Sequence, residues 1–513
     1  MNSEEKSMKN SVGRMIFVGI SVLLQIGWLL LLALRLNEYS VYISLITSII
    51  TLVLVLRLYN KKIPMGFKLL WMMVILAFPV LGISLYLLTG RSDITKGMRI
   101  RLEKIDKGLA KWLIQDEEVL TALYEKNIFV ANQMKYVRKY ANYPVYRNTD
   151  IKFYKDAADG FEDQLIEIAK AEKFIFMEYH AIEDAVSFGR MKQILAEKAK
   201  NGVEVRVLYD DVGSVGFINS KFAKHMESLG IKCRIFNPLI PILNIFMNNR
   251  DHRKITVIDG KIGFTGGYNL ADEYFNLKSP YGHWKDTGIR IEGEAVNSLT
   301  VMFLEMWNAM SRKPLEETSR FFQKVTYKAN EDCYIQPYGD SPLDEELVGE
   351  NVYMNVVKMA KKYVYFTTPY LIISDEMERE LTMAVKRGVD VRIITPGIPD
   401  KKTIFEITRS YYDELVKAGV RIYEYTPGFI HAKECICDDE IAVIGTINLD
   451  YRSLYLHFEN GVLMYHCQAV NDMKTDFEET IAVSKEVTEC YRKKQNLRVR
   501  IKRGMLRIFA PLL

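Results

Sequence analysis

The sequence predicts an α/β protein of two similar lobes related by pseudo-twofold symmetry and preceded by N-terminal transmembrane helices. Three observations carry that expectation. Apolar runs crowd the first 90 residues, the rest of the chain repeats itself, and one histidine motif occurs once per repeat. The 513 residues are 49% hydrophobic and 26% charged, which supplies a large core and excludes a disordered chain. A formal net charge of +5 is too small to argue for a nucleic-acid partner. Six scattered cysteines exclude a disulfide scaffold.

The N-terminal element comes first. Met15 to Leu34 is an uncharged run of 20 residues. At about 1.5 Å per residue it spans roughly 30 Å, the hydrocarbon thickness of a bilayer. Val41 to Leu56 is a second run, bounded by Glu38 and Arg57, and Leu69 to Gly90 is a third, between Lys68 and Arg91. Lys6, Lys9 and Arg14 would suit a signal peptide, but the apolar part is too long and no small-x-small site follows. The positive-inside rule places the hinge with Lys61, Lys62 and Lys68 in the cytoplasm. Arg91, Lys96, Arg99, Arg101 and Lys104 ask the same of the segment after the third run. Both hold only if that run does not cross, and Pro79 and Gly82 in its middle suit a re-entrant dip. The expectation is a multi-pass protein of the cell membrane whose catalytic part is cytoplasmic, with two or three hydrophobic segments over residues 1–90.

Residues 91–145 read as a charged helical connector, 146–325 as the first lobe, 326–485 as the second and 486–513 as a tail. Lys173-Phe-Ile-Phe176 matches Lys362-Tyr-Val-Tyr365, and Gly202-Val-Glu-Val-Arg-Val-Leu208 matches Gly388-Val-Asp-Val-Arg-Ile-Ile394. Strands alternating with helical stretches predict βαβ units and a largely parallel sheet in each lobe. The copies differ before the motif: Gly230 to His252 is 22 residues, Gly419 to His431 only 12. The extra residues lie within the Pro-broken apolar stretch 237–247, read either as a packed core loop or as a surface that touches lipid chains.

The chemistry sits in a pair of motifs. His252-x-Lys254-x4-Asp259 precedes Gly266-Gly267-x-Asn269, and His431-x-Lys433-x4-Asp438 precedes Gly445-Thr446-x-Asn448, at one offset of 179. His-x-Lys on an extended strand puts both side chains on one face. The imidazole can be a nucleophile or a general acid, and the ammonium binds a phosphate oxygen as a point charge. Asn269 and Asn448 can donate to the same oxygens. Asp259 and Asp438 occupy strand-to-turn positions and read as structural acceptors rather than bases. Downstream, Asp286-Thr-Gly-Ile and Glu459-Asn-Gly-Val share an acid-x-Gly-aliphatic pattern. Asp286 and Glu459 are expected to orient the two histidines, the alternative being surface carboxylates. An ammonium beside each histidine opposes a metal, and Cys435-x-Cys437 reads as one buried face rather than a zinc site. His180, His225, His283, His457 and His466 read as structural, with His283 and His457 near enough to the acids to line the site.

These residues resemble the phospholipase D superfamily, whose active site is built from two such motifs, one per lobe. His252-Arg-Lys-Ile-Thr-Val-Ile-Asp259 through Asn269 and Asp272-Glu273-Tyr274 is similar to bacterial cardiolipin synthases. So are Ile447-Asn448-Leu-Asp450-Tyr-Arg452-Ser453, Glu178-Tyr179, and the Pro79 to Arg91 run. The resemblance implies two phospholipase D-like lobes, with His252, Lys254, Asp259, His431, Lys433 and Asp438 in the catalytic motifs. It implies transfer of a phosphatidyl group from one phosphatidylglycerol to another through a phosphohistidine, giving cardiolipin and glycerol, with neither metal nor cofactor. By analogy His252 is the nucleophile and His431 the acid/base, although both have the same neighbours in the sequence. A phospholipase D-type hydrolase or another phosphatidyltransferase is the alternative. The tail alternates Arg492, Lys493, Lys494, Arg498, Arg500, Lys502, Arg503 and Arg507 with aliphatic residues. It suits the surface of an anionic phospholipid membrane, the expected partner; a solvated helix is the other reading.

Overall fold

The structure, a computed structural model, describes residues 16–17, 19–31, 34, 41–89, 96–239, 248–311, 313, 315–322, 327–344, 346–493 and 496–512. The first hydrophobic run falls partly outside them, and its residues 19–31 are helical. The apolar stretch 237–247 lies outside them beyond Leu239.

Helix α1 (Val41–Asn60) leads into α2 (Met65–Ala77) and α3 (Pro79–Thr89). The third hydrophobic run is therefore two helices, broken at Phe78, where φ is −135° and ψ is 73°. Pro79 accounts for the break, because it has no N–H and its ring clashes with the preceding turn. The Trp71 and Tyr86 rings meet at 5.4 Å between centroids. In one continuous helix their 15-residue separation would place them about 22 Å apart. The run folds back on itself, and a Cβ on Gly82 would come within 2.5 Å of the Val74 carbonyl oxygen, so only glycine fits the crossing. Leu58, Ile75 and Tyr86 form a small core joining α1 to this hairpin. The expectation of transmembrane helices is corrected to this extent: among the described residues no helix is long and apolar enough to cross a membrane.

The connector is α4 (Lys96–Leu109), α5 (Glu117–Lys126) and α6 (Ile128–Ala141), the last two N-capped by the side chains of Asp116 and Asn127. The first sheet has the strands β1 (Thr149–Tyr154), β2 (Phe174–Tyr179), β3 (Glu204–Asp210), β4 (Lys232–Phe236), β6 (Lys254–Ile258), β7 (Ile262–Gly266) and β9 (Gly288–Gly293). Their order is β1-β9-β7-β6-β2-β3-β4. The second has β10 (Tyr334–Asp340), β11 (Tyr363–Thr367), β12 (Asp390–Pro396), β13 (Arg421–Tyr425), β15 (Glu434–Cys437), β16 (Ile441–Gly445) and β17 (His457–Tyr465), closed by the short β18 (Lys485–Glu486). Its order, β10-β17-β16-β15-β11-β12-β13, repeats that of the first strand for strand.

The sheets are mixed, which corrects the expectation of largely parallel ones. Only β2-β3-β4 and β11-β12-β13 run parallel; the other neighbours on these paths are antiparallel. The reason is connection length. Asp259, Gly260 and Lys261 alone join β6 to β7, whereas a parallel crossover needs about a dozen residues or more.

Helices α7 (Ala157–Lys170) and α8 (Val186–Lys200) pack on the first sheet around a core of the first lobe, and a larger core is shared between the lobes. Helix α9 (Val296–Ala309) has every residue buried except Asn297, and one apolar cluster runs from the first sheet through α9 into the second. Two short strands stitch the lobes reciprocally. β5 (Arg250–Asp251) pairs with the start of β17, and β14 (Gly428–Ile430) pairs with β8 (His283–Lys285). On the second lobe lie α10 (Val348–Met359), α11 (Asp375–Lys386), α12 (Lys402–Ala418), α13 (Tyr451–Tyr455) and α14 (Gln468–Ala482), and the chain ends in α15 (Leu497–Phe509).

Candidate active site

Both motif histidines follow the strands that cross between lobes. The His252 amide donates to the Phe458 carbonyl at 2.9 Å, and the His431 amide to the Lys285 carbonyl at 2.7 Å. Each histidine is thus carried by one lobe and pinned by the other. The side chains cross in the same way. His252 Nδ1 lies 2.9 and 3.0 Å from the two oxygens of Glu459 in the second lobe. His431 Nδ1 lies 2.6 Å from Asp286 Oδ2 in the first. All four groups are buried. With Nδ1–H held by a carboxylate, each ring presents Nε2 as the free nitrogen.

The glycines of the motif make room for these acids. Gly266 faces Gly288 across β7 and β9, and Gly445 faces Gly461 across β16 and β17. A Cβ on Gly266 would come within 2.6 Å of Gly288 Cα, and one on Gly267 would overlap Asp286 Oδ1. The acid-x-Gly pattern is therefore half of a glycine–glycine contact that sets the carboxylate beside the opposite lobe's histidine.

Lys254 Nζ donates to its own lobe's His252 carbonyl at 2.6 Å, and Lys433 Nζ likewise donates to the His431 carbonyl. Each ammonium keeps further hydrogens for a ligand. Burial lowers Lys254 to about 7 and Lys433 to about 8, Lys433 adding to the fall of Lys254. Burial, followed by Lys433, lowers His431 to about 4. Burial, with Lys254 and then Lys433, holds His252 well below its ordinary value. Burial would raise Asp286, but His431 and Lys433 outweigh it and hold the carboxyl below its usual range. Two buried lysines, two buried carboxylates and two imidazoles held below their ordinary values meet here, and the lysines are the groups that can receive an anion.

Asn269 Nδ2 donates to Tyr274 Oη at 2.8 Å, and Asn448 Nδ2 to Asp450 Oδ2 at 3.0 Å. One N–H of each amide is thereby committed within the protein. Asp259 and Asp438 stand outside the reacting set. Asp259 accepts from the amides of Glu172, Lys173 and Phe174 at 2.7–2.8 Å, and Asp438 from those of Lys361, Lys362 and Tyr363 at 2.7–2.8 Å. Each takes a left-handed φ, +53° and +55°, and ties the turn after the lysine strand to the start of β2 or β11.

His180 and His457 form a cluster with His252. The His180 ring lies 4.9 Å and the His457 ring 5.5 Å from that of His252. His180 Nδ1 is 2.8 Å from the Asp251 carbonyl oxygen, and Arg452 Nε donates to His457 Nε2 at 3.3 Å. Around His431 the neighbours are instead Tyr274, Trp284 and Phe429, at 5.3, 5.4 and 5.9 Å. The signal for His180 was its position, one residue beyond the end of β2. His283 is on β8 and bonds Tyr425 Oη at 2.9 Å. Ligand atoms of His252, His457 and Glu459 lie within 4.8 Å of one another, a donor set that suits a cation. Lys254 and Lys433 beside His252 oppose one there.

Two repeats whose histidines answer to each other's carboxylates define a phospholipase D-like protein. The sequence matches the family described as "Cardiolipin synthase, PLD-like domain" over residues 164–307 and 353–481, and "Phospholipase_D-nuclease N-terminal" over 46–91. The chain belongs to the cardiolipin synthase family. A cardiolipin synthase of Staphylococcus aureus is 35% identical over 86% of this chain and 90% of its own length. A cardiolipin synthase of Halalkalibacterium halodurans is 30% identical over 95% of both chains. An uncharacterized protein of Streptococcus mutans is 41% identical over 90% of this chain and 99% of its own. Among solved structures, the phosphatidylserine synthase of Haemophilus influenzae superposes with a TM-score of 0.54 at 15% identity, over 71% of this chain and 95% of that one. That likeness establishes the fold.

Proposed function

We propose that this member of the cardiolipin synthase family joins two phosphatidylglycerol molecules at the His252–His431 pair, releasing glycerol. The observation that carries the reading is the crossed pairing of His252 with Glu459 and of His431 with Asp286. His252 Nε2 attacks the phosphorus of the first lipid, the bond from phosphorus to the glycerol oxygen breaks, and His431 gives that oxygen its proton. His431 then takes the proton of a terminal hydroxyl of the second lipid. The resulting oxygen bonds to phosphorus, the P–N bond breaks, and His252 is restored. One phosphodiester replaces another, so the energy of the bond is conserved without a nucleotide. The entering phosphate offsets the charge of Lys254 and Lys433, which lets His431 hold the proton that it must deliver. The two ammoniums, with the remaining N–H of Asn269 and Asn448, face the charge that develops on the phosphoryl oxygens. The nucleophile is assigned to His252 by analogy with the superfamily.

The α2–α3 hairpin supports a membrane location, since Leu69, Met73, Leu76 and Phe78 are exposed on it. We place the globular part on the cytoplasmic side, with the basic hinge around Lys61 and Lys62. The experiment is purified full-length protein in detergent with phosphatidylglycerol as sole lipid, products read by mass spectrometry, beside His252→Ala and His431→Ala. Cardiolipin with free glycerol, absent from both variants, is the expected result. Phosphatidic acid without cardiolipin would make the protein a hydrolase and overturn the acceptor assignment.

A further inference from the structure

Helix α15 faces the opposite way from what a charge-led reading of the tail suggests. Two of its bases turn inward, Arg503 to Asp413 at 3.2 Å and Arg507 to Glu378 at 3.3 Å, while Lys502 meets Glu406 at 2.9 Å from an exposed position. Arg507 also lies over the Tyr411 ring at 4.1 Å, and Arg503 over Tyr491 at 5.0 Å. Leu497, Ile501, Met505, Ile508 and Phe509 point outward, with Leu497 66%, Ile501 55% and Met505 61% exposed. At about 100° per residue, Arg503 and Arg507 stand roughly 200–240° round the helix from Ile501, so the apolar stripe is the outer face. Arg498 and Arg500, about +60° and −100° round the helix from Ile501, are exposed on the same side and without an ion pair among the described residues.

The stripe is continuous with the hairpin. After α15 the chain turns at Ala510–Leu512 against α2: a Cβ on Gly66 would lie 3.0 Å from Pro511 Cγ and 2.8 Å from Tyr451 Oη. Phe67 packs edge-on against Tyr451 and Tyr455, at 5.6 and 6.0 Å. Those tyrosines belong to α13, whose Ser453 Oγ donates to Glu459 Oε1 at 2.6 Å, the carboxylate that holds His252. Three segments distant in sequence thus meet directly behind the site.

We propose that α15 lies in the plane of the membrane with its apolar stripe among the acyl chains and Arg498 and Arg500 against anionic headgroups. It and the α2–α3 hairpin together clamp α13, and with it the His252–Glu459 pair, at the bilayer surface. Charge and continuity select lipid as the occupant. A helix turned to water would not present leucine, isoleucine and methionine outward while turning Arg503 and Arg507 to the protein, and the bases left outside, Arg498, Arg500 and Lys502, suit an anionic surface.

The membrane placement of α15 is independent of which phosphatidyl transfer occurs, and its first test does not read catalysis; the coupling to the site rests on the proposed transfer. Single cysteines at 497–509, in a Cys490→Ser background of the full chain, are labelled with an environment-sensitive fluorophore. The protein is reconstituted into phosphatidylglycerol–phosphatidylcholine vesicles containing nitroxide lipids. Quenching that peaks at 501, 505 and 508 with a 3.6-residue period, and falls to a minimum at 503 and 507, is expected. Uniform weak quenching overturns the proposal, as does protection of the stripe with concentration-dependent self-quenching, which would mean that a second copy covers it. A second measurement uses Ile501→Glu/Met505→Glu. The ratio of cardiolipin formed in vesicles to that formed in mixed micelles is expected to fall at least five-fold; an unchanged ratio overturns the coupling to the site.

Discussion

Glu459 and Asp286 do the same task with different support, and the difference is testable. Glu459 accepts from Ser453 Oγ at 2.6 Å and Thr446 Oγ1 at 2.5 Å as well as binding His252; Asp286 accepts from the Thr287 amide at 2.9 Å. Replacing either by its amide puts an N–H or a weaker acceptor against Nδ1 and loses the tautomer. Glu459→Gln and Asp286→Asn are each expected to lower kcat by about 100-fold or more while circular dichroism stays unchanged. The two variants separate the histidines. If His252 is the nucleophile, Asp286→Asn slows the proton transfers of His431 and lets a base-stable phosphatidyl adduct build up on His252, visible by intact mass. Glu459→Gln forms none. An adduct on His431 instead would reverse the assignment.

The lysines set the pH response. A phosphate is bound by the ammonium form, which is lost as pH rises through the folded pKa, about 7 for Lys254 and about 8 for Lys433. The kcat/KM for lipid is therefore expected to fall above pH 7–8, as Lys254 and then Lys433 lose their protons. Bound anion favours the charged lysine, so the basic limb of kcat moves to higher pH than that of kcat/KM. Matching profiles measured in one buffer series would remove the lysines from phosphate binding.

Among the elements, the turns after β6 and β15 carry the least obvious design. Three backbone amides converge on each motif aspartate, and the left-handed φ there is one that Asp or Asn tolerates better than other side chains. Asp259→Ala and Asp438→Ala each strand those donors at the start of the central strand. A cost of about 3 kcal/mol is expected, read as a Tm lower by several degrees, with activity per folded molecule largely kept. A loss of kcat without a fall in Tm would return the aspartates to the chemistry. These turns also mark what the sequence reveals and what it withholds. The repeat, the motifs and the paired acids are legible because the same residues recur at fixed offsets. That Asp286 serves His431 and Glu459 serves His252 is not, since spacing says nothing about which lobe an imidazole faces. His180 reads as structural because its lobe-two counterpart is Pro369, and a residue without a partner in the repeat carries no periodic signal; only its place just beyond β2 points to the site. The sheet direction is only half legible for a related reason: the helical stretches between β2, β3 and β4 announce parallel crossovers, and the three-residue turn that reverses β6 to β7 leaves no comparable pattern.

At the scale of the molecule, the two lobes share one large core and one site. Neither half encloses the site: β5 and β14 pair across the boundary, and each histidine's carboxylate comes from the other side. Arg253 shows the energetic side of this arrangement. It is wholly buried in the first lobe's motif, yet its Nε donates to the Glu459 carbonyl at 3.2 Å, while Nη1 reaches Glu305 Oε2 at 3.4 Å on α9. Removing the second lobe would leave a buried guanidinium short of an acceptor and expose the inner face of α9, each a penalty of several kcal/mol. The halves 1–325 and 326–513, expressed alone, are therefore expected to be insoluble or protease-sensitive. Coexpressed in one cell they are expected to copurify in equal amounts and to recover cardiolipin formation. A stable, protease-resistant second half with native helix content on its own would show that the shared core is a contact between finished domains, and the reciprocal strands would then be docking elements rather than part of the fold.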